Sequence, residues 1–232
     1  MDGMLYAVGV GPGDPDLLTL KAVKVLEKAD IIACPAKENK PGIAYTIASQ
    51  ACPAILSKET LTLDFPMSKG NLNDAHNSAA DKIIDELRSG KNVVFLTLGD
   101  PGFYSTFSYI SDKVKKSGYN IEIINGIPSF CAAAAKIGCS IAEGEEPVLI
   151  TTGEYVPFDG TLLIMKAGSR LKELKAEIRS SGKTAYLIEN CGMQGEAVYY
   201  DADSIPEKAG YFSIIIVKRL ILVTHLKNSL KV

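Results

Sequence analysis

Tryptophan is absent from this 232-residue chain, histidine occurs only twice, and no two cysteines have CxxC spacing. His76 and His225 lie far apart with no cysteine or histidine at ligand spacing, so no zinc site built by the protein is expected. Cys34, Cys52, Cys131, Cys139 and Cys191 are an odd set in a chain too long to depend on a disulfide framework, and they read as reduced thiols. Neither sign of charge is in surplus, since 25 basic and 27 acidic residues leave a net charge of −2. Neutralising a phosphate backbone needs a basic excess, so nucleic-acid binding is not expected. Long apolar runs are missing as well. The most apolar stretch, 213–223, is interrupted by Lys218 and Arg219 and is far shorter than the roughly 20 residues of a spanning helix. The opening MDGMLYAVGVGPGD has neither the basic nor the long apolar region of a signal peptide. A cytoplasmic protein with no membrane partner is the expectation.

What is present is an ordinary globular balance, 47% hydrophobic and 22% charged. Short β-branched runs at 5–10, 31–34, 93–98, 121–124, 148–151, 162–165, 185–188 and 213–217 predict strands. Several are almost continuously apolar, as strands buried on both faces of a sheet should be. Helical patterns lie between them. One is expected to begin at Asp14 with Pro15 as its first residue, and to bury Leu18, Ala22, Val25, Leu26 and Ala29. A second spans 73–89 with Ala80, Ile83, Ile84 and Leu87 inward; 129–137 and 170–180 are two more. This alternation predicts α/β layering. The polar, glycine-containing stretch 138–147 is expected to join an N-terminal domain, 1–140, to a C-terminal one, 141–232. Residues 53–70 read as an irregular excursion.

Five glycine-bearing turns follow five of the strands. The first, Gly9-Val10-Gly11-Pro12-Gly13-Asp14-Pro15, has an aspartate where a dinucleotide fingerprint wants its third glycine. Asp14 and Asp16 would also repel a phosphate from the following helical turn, so this is a poor phosphate loop. The second, Leu98-Gly99-Asp100-Pro101-Gly102-Phe103-Tyr104-Ser105-Thr106, runs into a hydroxyl-rich helix start. The others are Asn125-Gly126-Ile127-Pro128-Ser129, Met165-Lys166-Ala167-Gly168 and Glu189-Asn190-Cys191-Gly192-Met193. Taken singly, each is equally a structural turn, and Asp-Pro-Gly suits a β-turn well. Together they describe a largely apolar pocket with few cations at the carboxyl ends of strands, where open α/β sheets bind ligands. Such a pocket suits a neutral or positively charged cofactor better than a nucleotide phosphate.

In this order and spacing, GVGPGDP, LGDP, GIPS and ENCG resemble the tetrapyrrole methylase family over essentially the whole chain. Its members are S-adenosylmethionine-dependent enzymes of cobalamin and sirohaem synthesis. Within it, GDPGFYSTFSYI (99–110) and YFSIIIVKR (211–219) are most similar to the C20-methyltransferases of precorrin-2 or cobalt-factor II. The resemblance implies two α/β domains, S-adenosylmethionine held in a cleft between them, and a homodimer. It implies cofactor contacts from Pro12, Gly99, Asp100, Phe103, Pro128, Ser129, Met165 and Cys191. Two residues depart from the family pattern. Asn125 replaces a usual proline, which should loosen that turn, and Leu98 replaces a glycine of the sirohaem-type members, which favours a corrin-pathway enzyme.

The resemblance agrees with the residues, because a sulfonium is a cation without phosphates. Methyl transfer needs two aligned reactants, and alignment alone contributes about 7–11 kcal/mol. The electron-rich meso carbon C20 supplies its own nucleophile, and a proton must leave it afterwards; Asp100 and Tyr104 are the candidate bases. The substrate carries many carboxylates, for which Lys37, Lys40 and Lys166, each beyond a strand, are candidate partners. Other readings are methylation at another corrin position, a diphthine or ribosomal-RNA methylase, which would want a basic face, and a non-enzymatic regulator that binds a nucleotide on the same fold.

Overall fold

In a computed structural model that describes residues 3–37, 40–65 and 72–219, the chain divides into two units, Met1–Ser129 and Phe130–Val232. The first runs β1 (Leu5–Gly9), α1 (Leu20–Lys28), β2 (Ile31–Lys37), β3 (Lys40–Pro41), α2 (Ile43–Ala51), β4 (Glu59–Asp64), α3 (Leu72–Arg88), β5 (Val93–Thr97), α4 (Phe107–Lys116) and β6 (Ile121–Ile124). Its sheet is parallel in the order β4-β2-β5-β1-β6, with β3 antiparallel to the end of β2.

The continuous apolar runs have the cause expected of them. Successive side chains of a strand point to opposite faces. Leu5, Ala7, Ile31, Ala33, Val93 and Phe95 pack with Ile83 and Leu87 of α3 and with Ile110 and Val114 of α4. The alternate set, Val8, Ile32, Cys34, Val94 and Leu96, packs with Ala22 and Leu26 of α1 and Ala44 and Ile47 of α2. Each large aliphatic side chain buried in this way is worth about 1.5–3 kcal/mol, so the two-faced sheet is the main source of stability in this unit.

Two expectations are corrected here. Helix α1 does not begin at Asp14. The Asp14 carboxylate accepts from the amide of Asp16 and caps a single 3-10 turn, Pro15–Leu17; Leu18 is extended. Thr19 then starts α1, its hydroxyl accepting from the amide of Ala22 at 3.2 Å. The apolar spacing at 18, 22, 25, 26 and 29 runs straight through this break, so periodicity does not reveal it. Nor are residues 53–65 irregular. They form a 3-10 turn, Pro53–Ser57, and strand β4, which pairs with β2 from Ile31↔Glu59 to Ala36↔Asp64. Its sequence ETLTLD alternates as a half-buried edge strand should, and only Leu63 is fully buried. The remainder of that stretch, 66–70, lies outside the described residues. Helix α2 (IAYTIASQA) was not foreseen, because it is apolar without a polar stripe.

The second unit carries α5 (Ser129–Ile137), β7 (Val148–Thr152), β8 (Thr161–Met165), α6 (Leu171–Ser181), β9 (Thr184–Glu189), β10 (Ala197–Tyr199) and β11 (Ser213–Lys218). The sheet order is β10-β9-β11-β8-β7, with β11 antiparallel to both neighbours and β7 parallel to β8. Leu171, Leu174 and Ile178 of α6 pack on Leu162, Ile164, Leu187, Ile215 and Val217. The units divide eleven residues before the expected 140/141 boundary, at 129/130, and α5 falls with the second, where Lys136 pairs with Glu196 at 3.0 Å. The 138–147 stretch has the composition of a linker because it joins α5 to β7. It is fastened down by Glu146, which accepts from the Thr161 hydroxyl at 2.9 Å and lies 3.6 Å from the buried ammonium of Lys218. Lys218 also donates to the Ser140 carbonyl at 2.6 Å. Among the described residues, no helix is long and apolar enough to cross a membrane.

Candidate active site

The parallel strands of the first unit end side by side, and their carboxyl ends carry three of the glycine turns. Beyond β1 the chain crosses to α1 on one face of the sheet, while beyond β5 it crosses to α4 on the other. The crevice between β1 and β5 is therefore the topological switch point, where such sheets bind ligands. The two turns are joined there. The amide of Gly11 donates to the Gly99 carbonyl at 3.2 Å and the amide of Gly99 to the Gly11 carbonyl at 2.7 Å, an antiparallel bridge above two parallel strands. The third turn is pressed against both. A Cβ on Gly126 would stand 2.1 Å from the Gly99 carbonyl oxygen and 2.8 Å from the Gly9 carbonyl carbon, so only glycine fits.

Asp100 binds this node together. It is 5% exposed, and both of its carboxylate oxygens accept hydrogen bonds. One takes the amide of Gly102 at 2.7 Å; the other takes the amide of Gly126 at 2.9 Å and the Asn125 side-chain amide at 3.2 Å. Asn125, expected to loosen its turn by replacing proline, instead fastens it to Asp100. Nothing in the sequence announces this contact, because the partners are 25 and 26 positions apart. Below the clamp, Thr97 and Ser105 share a buried hydroxyl–hydroxyl hydrogen bond of 3.2 Å, and Ser105 accepts from the amide of Phe107 at the start of α4.

The remaining first-unit candidates stand on the same three turns. Pro12 is buried directly after the Gly11 bridge, and Pro128 and Ser129 flank Gly99, a Cβ on which would lie 3.9 and 3.8 Å from their backbone atoms. Phe103 and Tyr104 extend from the Asp100 turn, and both are exposed. Tyr104 has φ 48°, a left-handed conformation that costs a non-glycine residue about 1–3 kcal/mol and marks a constrained position. The three turns contain no lysine or arginine. Their chemistry, glycine backbone, four prolines, aromatic rings and a carboxylate already engaged, fits a ligand that brings a sulfonium and no phosphate.

The second-unit candidates also share one sheet end, since Met165 is in register with Ile214 and Glu189 with Ser213. Gly168 touches backbone, with its absent Cβ 2.0 Å from the Gly210 carbonyl oxygen. Lys166 is left-handed (φ 56°), and its ammonium sits over the Tyr211 ring, 5.8 Å from the centroid. Asn190, also left-handed, donates its backbone amide to Phe212 O at 2.9 Å, and Glu196 accepts from the amide of Gly192 at 2.7 Å. Lys37 closes β2, but its side chain lies outside what the structure describes, as does His225. Lys40 is exposed on β3.

Cys191 is buried, and burial, reinforced by Glu196 and partly offset by Lys136, pushes its thiol up to about 11; burial does the same to Cys34, also to about 11. At pH 8 such a thiol is ionised to roughly one part in a thousand, and only the thiolate is alkylated. Exposed Cys131 is expected to react first with an alkylating reagent, with Cys34 and Cys191 unlabelled on the same timescale. Their labelling should accelerate about ten-fold per pH unit towards pH 11. Peptide mass spectrometry after timed labelling of native protein checks this, and equal labelling of all five thiols at pH 8 would contradict it.

The chain is 34% identical over 226 residues to a probable cobalt-precorrin-2 C(20)-methyltransferase of Methanocaldococcus jannaschii, covering 93% of this chain and 96% of that protein. It is 27% identical to a precorrin-2 C(20)-methyltransferase of a Sinorhizobium species, over 93% and 95% of the two chains. In fold it is similar to the uroporphyrin-III C-methyltransferase of Thermus thermophilus solved with S-adenosylhomocysteine, with a TM-score of 0.68 and 19% identity over 92% and 97% of the chains. The family model of tetrapyrrole (corrin/porphyrin) methylases matches residues 4–204, spanning all five glycine turns, and the chain belongs to that family.

Proposed function

We infer that the protein is an S-adenosylmethionine-dependent methyltransferase of cobalamin biosynthesis, acting on C20 of precorrin-2 or its cobalt-bearing form. The observation that carries this reading is the cation-free glycine node at the switch point, in a chain that matches C20-methyltransferases over 93% of its length. When bound, S-adenosylmethionine supplies the electrophilic methyl group. The chain's own part is positional. Gly99 and Phe103 hold the methionine end, Pro12, Pro128 and Ser129 line the cofactor site, and Asp100 keeps their turns in register. Met165 and Cys191 of the second unit contact the adenosine. Asp100, with both oxygens engaged by three N–H donors, acts as a positioning residue. Tyr104, exposed and constrained beside it, is the catalytic group of the pair: its phenol oxygen takes the C20 proton as its own hydroxyl proton passes to water. Lys37 and Lys166 pair with substrate carboxylates. The enzyme works as a cytoplasmic homodimer.

The test is anaerobic incubation with S-adenosylmethionine and either precorrin-2 or cobalt-precorrin-2, followed by mass measurement of the pigment. Gain of one methyl, placed at C20 by NMR, is the expected result, and the preferred substrate settles the metal question. No gain on either, with S-adenosylhomocysteine still bound in calorimetry, would overturn the C20 assignment; loss of binding as well would overturn the cofactor.

A further inference from the structure

Away from the glycine node, three ring side chains from separate segments meet. Phe65 directly follows β4, His76 lies near the start of α3, and Tyr109 is in the first turn of α4. The His76 and Tyr109 rings are stacked, with centroids 4.6 Å apart and planes within 1° of parallel, and Phe65 leans on the imidazole at 5.6 Å and 45°. His76 Nδ1 is buried without a hydrogen-bond partner, and burial lowers the pKa of the ring, so the stack is backed by a neutral imidazole. Lys113, one turn beyond Tyr109, bridges α4 to α3 by its 2.6 Å ion pair with Asp81 and a 3.2 Å hydrogen bond to the Asn77 carbonyl. The stack is thus held rigidly, yet Tyr109 remains 64% exposed.

Its place in the fold gives that exposure a meaning. Each parallel strand releases the chain at its carboxyl end, so the N-terminal turns of α3 and α4 lie at the same end of the sheet as the glycine node. Tyr109 stands five residues beyond Tyr104, in the helix into which the Asp100 turn leads. A scattered surface tyrosine needs no explanation, whereas a ring fixed flat on a second ring beside a site is a ready surface for another π system.

We propose that Tyr109, backed by His76 and Phe65, is the stacking wall against which the conjugated part of the tetrapyrrole lies. The proposal rests on the substrate class inferred above. Stacking with an offset is the geometry two aromatic faces prefer, and the two-χ tyrosine loses little freedom in adopting it. In this role Tyr109 sets affinity for the macrocycle, and His76 is a positioning residue that acts through it.

Tyr109→Ala, Tyr109→Lys, Tyr109→Phe and His76→Phe would be compared with the unaltered protein in three measurements. These are anaerobic binding of precorrin-2 without cofactor, followed by the pigment's own absorption; S-adenosylhomocysteine binding by calorimetry; and kcat and KM. Tyr109→Ala and Tyr109→Lys are expected to weaken pigment binding and raise KM about ten-fold, with a smaller fall in kcat and S-adenosylhomocysteine affinity within about two-fold. Tyr109→Phe and His76→Phe, which keep the stacked rings, should recover most of the pigment binding. Pigment binding within two-fold of normal in both Tyr109→Ala and Tyr109→Lys overturns the wall, as does an equal loss of pigment and S-adenosylhomocysteine binding. If the unaltered protein binds pigment through Tyr109 but transfers no methyl to it, the C20 reading fails and the wall stands. If it methylates the pigment and Tyr109→Ala binds normally, the wall fails and the C20 reading stands.

Discussion

Asp100→Asn is expected to lower the Tm by about 4–8 °C and to weaken S-adenosylhomocysteine binding at least ten-fold, with the pH profile of the residual methyl transfer unchanged. The substitution preserves shape but turns an acceptor oxygen into an N–H₂ donor. All three partners of Asp100, the amides of Gly102 and Gly126 and the side chain of Asn125, are themselves donors. At least one charge-assisted hydrogen bond, worth about 1.5–3 kcal/mol, becomes a donor facing a donor in a place too buried for water to repair it. At about 2–4 °C per kcal/mol for a chain of this length, a loss near 2 kcal/mol gives the predicted shift. The ligand effect follows because the clamp joins the second and third turns, both proposed to hold the cofactor. Differential scanning calorimetry and titration calorimetry on one preparation make the test. A base would behave otherwise: methyl transfer would fall by orders of magnitude while Tm and S-adenosylhomocysteine affinity stayed as in the unaltered protein, and that outcome would return Asp100 to the chemistry.

Gly126→Ala should be more damaging still, costing at least about 3 kcal/mol, or about 6–12 °C in Tm, and abolishing detectable S-adenosylhomocysteine binding. Its new methyl would stand 2.1 Å from the Gly99 carbonyl oxygen and 2.8 Å from the Gly9 carbonyl carbon. Overpacking usually costs about 1–3 kcal/mol because side chains swing aside. Here both obstacles are backbone, held by the β1–β5 ladder and the Gly11–Gly99 bridge, so the turn itself must move. Gly138→Ala is the comparison, since φ is +68° there and nothing lies within 4 Å of the added atom. It reports left-handed strain alone, about 1 kcal/mol. If thermal unfolding ranks Gly126→Ala no worse than Gly138→Ala, the three turns are not in contact.

Strand and helix alternation is a local property, and the chain displays it locally. The runs at 5–10, 31–34 and 93–98 announce a sheet covered on both sides, because only a strand buried on both faces can afford every residue apolar. Ser129–Ile137 was legible to the residue, and α3 buries the four residues its spacing singled out. Where two local signals competed, the reading failed. Asp14-Pro15 and Thr19 both offer a helix start, and only the folded chain, with Leu18 extended between them, selects Thr19. Edge strand β4 was hidden because half-burial admits polar residues that resemble a loop.

The α/β layering, the glycine turns at strand ends, the lack of cations on the first three of them and the family they belong to can all be read along the chain. All of these are carried by composition and spacing along the chain. Folding in three dimensions is what closes Gly9, Gly99 and Gly126 on one another, turns the Asp100 carboxylate to Gly102, Asn125 and Gly126, and gathers Phe65, His76 and Tyr109 into one stack. Those contacts join residues up to 117 positions apart, and what brings them together is the crossing of α1 and α4 to opposite faces of the sheet and the packing of α3 on α4. A hydrogen bond or a stacked ring depends on distance in space, and distance along the chain carries no record of it.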